Sequence, residues 1–201
     1  MPRRTKEEAE ETRQLLLKTA LKLFSEEGLQ KTTLAQVAEA AGVTRGAIYW
    51  HFRDKADMLE ALWENIAAPL QTQYQQIMKE PSANPLKVLQ EVAAVMLKLV
   101  ASDARTQQMV RIARQALSDP LLSEKSRELC RQDLEDLIPV LEKARQDGLI
   151  RNDLTAEGAA LVYYGCLDGV INCWLNIDDS VQLREQAETL SGIIVQGLRA
   201  P

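Results

Sequence analysis

The run Thr32 to Phe52, TTLAQVAEAAGVTRGAIYWHF, constrains the chain more than any other stretch, because it specifies two short helices and a tight glycine turn between them. Thr33 followed by Gln36 is a capping box, in which each side chain satisfies a main-chain donor left orphaned at a helix start. Leu34, Val37, Ala38 and Ala41 then recur at the spacing of one helical face. Gly42 can take the left-handed conformation that ends a helix, and Thr44 stands where it can cap the next.

On that second helix, at about 100° per residue, Ile48 and Phe52 share one side while Gly46, Tyr49 and Trp50 share the other. Large aromatics therefore point outward, beside Arg45 and His51, which implies a surface that meets something. Arg45 can reach a guanine edge, Gly46 permits close backbone approach, and the aromatics and His51 can pack on thymine methyls or donate to phosphates. Thr32, Thr33 and Thr44 are further phosphate-contact candidates. The arrangement is that of a recognition helix in a major groove.

The residues from Thr12-Arg13 through Gly42-Val43-Thr44-Arg45-Gly46-Ala47-Ile48-Tyr49-Trp50-His51-Phe52-Arg53-Asp54-Lys55 resemble the DNA-binding domain of the TetR family. Within it, Thr-Arg-Gly-Ala-Ile-Tyr-Trp-His-Phe and the opening Arg-Arg-Thr-Lys-Glu-Glu-Ala-Glu-Glu-Thr-Arg are most similar to the AcrR-like repressors of multidrug efflux pumps. The resemblance is dense over the first third of the chain and thin beyond it. It implies a homodimer that binds a palindromic operator on double-stranded DNA and is released when a small-molecule inducer shifts the population of its two forms.

Composition agrees with an all-α protein. The 201 residues are 46% apolar, enough to bury a core, whereas aromatics make up only 4% and Pro and Gly are few. The net charge of −5 is uneven: residues 1–55 carry ten Lys and Arg against eight Asp and Glu, leaving the other residues at −7. The basic third is thus the one a DNA backbone would attract. Catalysis finds little to hold, since His51 is the only histidine, no glycine-rich phosphate loop follows a strand, and no ligand set has metal spacing. No cofactor or metal is expected. Cys130, Cys166 and Cys173 form no C-x-x-C pair and are read as reduced core residues of a cytoplasmic protein, with redox sensing by Cys166 and Cys173, seven apart, as the alternative. No opening segment has the form of a signal peptide. The longest apolar run, Gly158 to Leu175, is interrupted by Asp168 and Asn172, so a buried helix is expected there rather than a membrane span.

In chain order, residues 1–5 are read as a basic tail and about 6–27 as a first helix stopped by Gly28. Asp54 caps a long fourth helix reaching about Lys79. Lys55, in its first turn, lies near the DNA backbone if the recognition helix is placed correctly, and alone would be read as a solvated charge. Glu80-Pro81-Ser82-Ala83-Asn84-Pro85 breaks the chain. Helical patterns follow at about 86–102, 105–117, 121–147 (with Pro139 suggesting a kink), 155–176 and 181–199, giving about nine helices. The expected organisation is a helix-turn-helix DNA-binding domain over 9–69 and a larger helical domain over 70–201 for ligand binding and dimerisation. Gly158, Gly165 and Gly169 on the penultimate helix and a coiled-coil seam on the last suit a four-helix interface between two chains.

A small-molecule pocket would draw on Trp63, Met96, Met109, Ile112, Cys130 and Leu134, with Tyr163 and Trp174 as further members, although each singly is more often plain core. Tyr164, Asp168 and Asn172 form a polar stripe on an otherwise apolar helix, which burial penalises unless partners satisfy it. The efflux repressors hold the polar end of a drug with an acid followed by Gly at this part of the eighth helix. The resemblance therefore points to Asp168, and a hydrogen bond at the subunit interface is the alternative. The function expected is repression of an efflux operon; the alternatives are a TetR-type regulator of a catabolic or lipid pathway and, more remotely, a helical ligand carrier or an enzyme.

Overall fold

The computed structural model describes residues 6–78, 84–119, 122–177 and 181–201. The basic tail at 1–5, the end of the fourth helix near Lys79 and most of the break expected over 80–85 lie outside the described residues. Nine helices run through the described residues: α1 (Lys6–Glu27), α2 (Leu34–Ala40), α3 (Arg45–His51), α4 (Lys55–Met78), α5 (Pro85–Ser102), α6 (Ala104–Leu117), α7 (Ser123–Gln146), α8 (Ala156–Asn176) and α9 (Leu183–Gln196).

The helix ends follow from local chemistry. Thr33 Oγ1 accepts from Gln36 N at 3.3 Å while Gln36 Oε1 accepts from Thr33 N at 2.8 Å, closing the capping box of α2. Thr44 caps α3 through Ala47 N, Thr155 caps α8 through Gly158 N, and Asn84 caps α5 with Pro85 in its first turn. Gly42 closes the turn at φ +69°, a conformation in which a β-carbon would be strained, and Val43 N returns to Ala38 O at 3.0 Å. After α7 the chain forms an isolated antiparallel bridge between Ile150 and Arg199, a pairing that helical periodicity gives no sign of.

The chain divides into two compact units, Met1–Ala67 with Gln108–Ser126, and Ala68–Gln107 with Arg127–Pro201. In the first, Leu16, Ala20 and Phe24 of α1 pack with Val37 and Ala38 of α2, Ile48, Phe52, Met58 and Leu62, and also with Met109, Ile112 and Ala116 of α6. In the second, Leu89 and Ala93 of α5, Leu141 and Ala144 of α7, Ala159, Ala160 and Tyr163 of α8 and Val195 and Leu198 of α9 form a separate core. The Tyr163 hydroxyl donates to Leu89 O at 2.7 Å, so this buried polar atom is satisfied within the core. None of the helices is long and apolar enough among the described residues to cross a membrane.

Candidate nucleic-acid interface and ligand site

α3 is built to display one side. Ile48 and Phe52 are buried and anchor it in the first unit, whereas Tyr49 is 56% and Trp50 73% exposed, with Arg45 and Gly46 on the surface beside them. The His51 ring stands edge-on to Trp50, centroids 4.6 Å apart, so the two rings brace each other. Seven residues make a helix too short to persist alone, and its stability must come from the Thr44 cap and from the two buried anchors. Thr33 and Thr44 are exposed at the starts of α2 and α3, which places them on the surface although each hydroxyl is also engaged in its cap.

Of the expected contact residues, Thr32 is placed otherwise and Lys55 is partly tied inward. Thr32 is fully buried, and its hydroxyl donates to Gly28 O at 2.9 Å. It therefore locks the turn after α1 rather than facing outward, because a side chain without exposure has no path to a phosphate. Lys55 is half-buried, and its ammonium donates to Leu29 O at 2.8 Å, with donors left over for other acceptors.

The exit from α3 is held by the expected Asp54 cap together with Arg53 and Asp57, a pair that the residue pattern did not single out. Asp57 accepts from Arg53 N at 2.9 Å and from Arg53 Nη2 at 3.1 Å, while Asp54 caps α4 by accepting from Asp57 N at 2.8 Å. Hydrogen bonds from Arg53 hold the Asp57 carboxyl below the usual carboxylate range. The Arg13 guanidinium lies 5.5 Å above the Phe52 ring. The i,i+4 spacing of Arg53 and Asp57 was the available signal for this clamp. A cleft of about 300 Å³ lined by Arg13, His51, Phe52, Asp57, Glu60 and Glu64 adjoins it, too polar to resemble a drug pocket.

The ligand candidates are distributed over the two units. Met109 and Ile112 are buried in the core of the first unit with Trp63 packed against it. Met96, Cys130, Leu134, Tyr164, Asp168 and Asn172 belong to the second unit. There Asn172 Nδ2 donates to Asp168 Oδ1 and to Asp168 O, each at 2.7 Å, and the Tyr164 hydroxyl reaches Cys130 Sγ at 3.9 Å. Asp133, an acid missed in the sequence although it lies on the same face of α7 as Cys130 and Leu137, stands beside Tyr164. Burial, and then the neighbouring Asp136 charge, raise the Asp133 carboxyl to about 6, with the Tyr164 hydrogen bond opposing them. Burial and the Asp133 charge likewise raise the Tyr164 hydroxyl. Trp174 Nε1 donates to Val181 O at 2.9 Å.

The outward side of α8 is apolar. Leu161 is 62% exposed, Val162 and Ile177 are also exposed, and Ile193 of α9 is 62% exposed. A β-carbon at Gly165 or Gly169 would meet open space. Cys166 and Cys173 are exposed on this side and Cys130 is half-buried, which corrects the expectation of three core cysteines. Apolar neighbours in sequence misled here, because α8 is apolar on both faces and only one of them packs within the chain.

Comparison with known proteins accords with this geometry. Residues 16–62 match the bacterial regulatory proteins of the tetR family, and residues 84–199 match the C-terminal region of the MAATS-type transcriptional repressors. The HTH-type transcriptional regulator AcrR of Shigella flexneri is 34% identical over 98% of this chain and 93% of its own length. The HTH-type transcriptional repressor BepR of Brucella suis is 32% identical over 99% of this chain and 97% of its own length. The crystal structure of NalD, the secondary repressor of the MexAB-OprM multidrug efflux pump in Pseudomonas aeruginosa, covers 95% of this chain and 98% of its own with a TM-score of 0.80 at 23% identity, so it shares the fold. A capped helix-turn-helix that presents Tyr49 and Trp50, followed by a larger helical unit, is thus accompanied by sequence likeness along nearly the whole chain, and the protein belongs to the TetR family of bacterial transcriptional regulators.

Proposed function

We propose that this TetR-family regulator is a cytoplasmic homodimeric repressor of a multidrug efflux operon, released from its operator by an apolar or cationic small molecule. In this reading residues 9–69 bind DNA and residues 70–201 bind the inducer and the second subunit, with Gln108–Ser126 packed in the first unit. The exposed Tyr49–Trp50 face of α3 beside Arg45 carries the DNA-binding part. Thr33, Thr44, His51 and Lys55 flank it as phosphate contacts, and two such helices in a dimer would read half-sites about one turn of DNA, ~34 Å, apart. Support for the efflux assignment comes from the relatives, among them the Escherichia coli protein described as the probable acrEF/envCD operon repressor, 32% identical over 94% of this chain.

Asp168, seated on Asn172 and near Tyr164, is the polar anchor proposed for the inducer, with Asp133 beside Tyr164 adding a second carboxyl. The dimer is proposed to form through α8 and α9. Their exposed apolar residues and the open space at Gly165 and Gly169 suit close approach of a second copy.

A gel shift on the DNA upstream of the protein's own gene tests the reading. The parent should retard the fragment, and tetraphenylphosphonium, an apolar cation, should release it. Asp168→Asn should weaken tetraphenylphosphonium binding while sparing uncharged triphenylphosphine oxide, as followed by tryptophan fluorescence. Unchanged affinities together with a dissociated dimer would assign Asp168 to the subunit interface. Retardation that neither molecule relieves would favour control of a catabolic or lipid pathway.

A further inference from the structure

The main chain of Leu29, in the turn between α1 and α2, is gripped from two distant elements. Its N–H donates to Gln115 Oε1 of α6 at 3.1 Å, and its carbonyl accepts from Lys55 Nζ at the start of α4 at 2.8 Å. The Leu29 side chain has no exposure, and Gly28 before it takes φ +90° with its carbonyl accepting from the Thr32 hydroxyl. Gln115 lies 86 residues further along, on the surface of α6, yet in the same compact unit. Lys55 follows α3 by four residues, with Asp54 capping the helix that Lys55 opens.

From this geometry we infer that Gln115 is a positioning residue for operator reading. By holding the Leu29 peptide it fixes the seat of Lys55, and through the start of α4 it fixes the exit of α3. Removing the acceptor leaves a part-buried N–H without its partner, which the turn relieves by shifting. A shift there moves the carbonyl on which Lys55 rests. The carboxyl-terminal end of α6 is thereby part of the DNA-binding apparatus, although nothing in the periodicity of α6 separates Gln115 from its other surface residues.

The inference rests on α3 reading the operator, which the parent's own selection of a duplex from a random pool tests separately. With that selected duplex as probe, Gln115→Ala should lose about tenfold in affinity, the scale of one hydrogen bond, while affinity for an unrelated duplex of equal length stays put. Gln115→Glu keeps an acceptor oxygen, now of a carboxylate, and should restore the ratio of the two affinities to within about threefold of the parent. Hydrogen exchange at the Leu29 amide, measured on the protein alone, should quicken in the alanine variant and return to the parental rate in the glutamate variant. Alanine at a surface helix position favours folding; should that variant nevertheless unfold, Gln115→Leu replaces it. An unchanged ratio in the alanine or leucine variant, unchanged Leu29 exchange, or a glutamate variant that folds like the parent without restoring the ratio would each overturn the assignment.

Discussion

Two surfaces of this protein leave large apolar side chains uncovered, and they do so differently. On α3 the exposed pair Tyr49 and Trp50 is amphipathic and stands beside Arg45, on a seven-residue helix held by a cap, two buried anchors and the Arg53–Asp57 clamp. On α8 the exposed large apolar side chains are aliphatic, Leu161 and Val162, the helix contains no Lys or Arg, and Gly165 and Gly169 open onto space. Aromatic rings with a polar edge beside a cation suit a charged, hydrogen-bonding partner such as DNA. A flat aliphatic and glycine face suits a surface of its own kind, where two copies exclude water. Exposure alone therefore does not name the partner; the chemistry around the exposed groups does.

Introducing charge into the second surface is the severest way to break this contrast. Leu161→Glu combined with Ile193→Glu should yield monomers in sedimentation analysis and cost operator affinity about 10²–10⁴-fold, the gain lost when two half-sites are no longer bound together. Helical content should stay parental, since both side chains face away from the core. Dimers that persist in this variant would remove α8 and α9 from the interface.

Truncating the first surface should be milder. Tyr49→Ala or Arg45→Ala should reduce specific binding by about tenfold to a hundredfold per half-site in fluorescence anisotropy, with the dimer intact. If Tyr49→Ala affected the dimer and spared the operator, the roles given to the two surfaces would be exchanged.

A third effect sharpens the contrast between the outward and inward faces of α8, and concerns stability rather than binding. Asp133, beside Tyr164, has its carboxyl raised by burial to about 6 from an ordinary value of 3.8. The folded state thus holds this proton more tightly than the unfolded one. Stability at this site should fall as pH rises from about 4 to about 6 and level off above, at a total cost of at most about 3 kcal/mol. Asp133→Asn keeps an acceptor for Tyr164 and should raise the thermal midpoint at pH 7 while flattening the pH dependence over that window. A variant melting like the parent at both pH 5 and pH 7 would show that water reaches Asp133 freely.

Much of the molecule could be read from residue order because the relevant physics is local. The Thr33–Gln36 box, Gly42, the Thr44 cap and the alternation of Ile48 and Phe52 with Tyr49 and Trp50 depend on spacings of three and four, so the helix-turn-helix and its displayed side followed directly. The helices that complete the all-α fold carry the same kind of signal. Tertiary packing decided the rest. Whether Thr32 faced DNA or the turn depended on Gly28 O, and the packing of Met109 and Ile112 with α1 to α4 depended on which unit claimed that part of α6. Cys166 and Cys173 came to the surface because α8 carries apolar residues on both of its faces, so that periodicity could not say which side would find a partner within the chain. The grip of Gln115 on Leu29 spans 86 residues. Local propensity sees only a few residues either way, and contacts of that range exist only once the chain has folded around them.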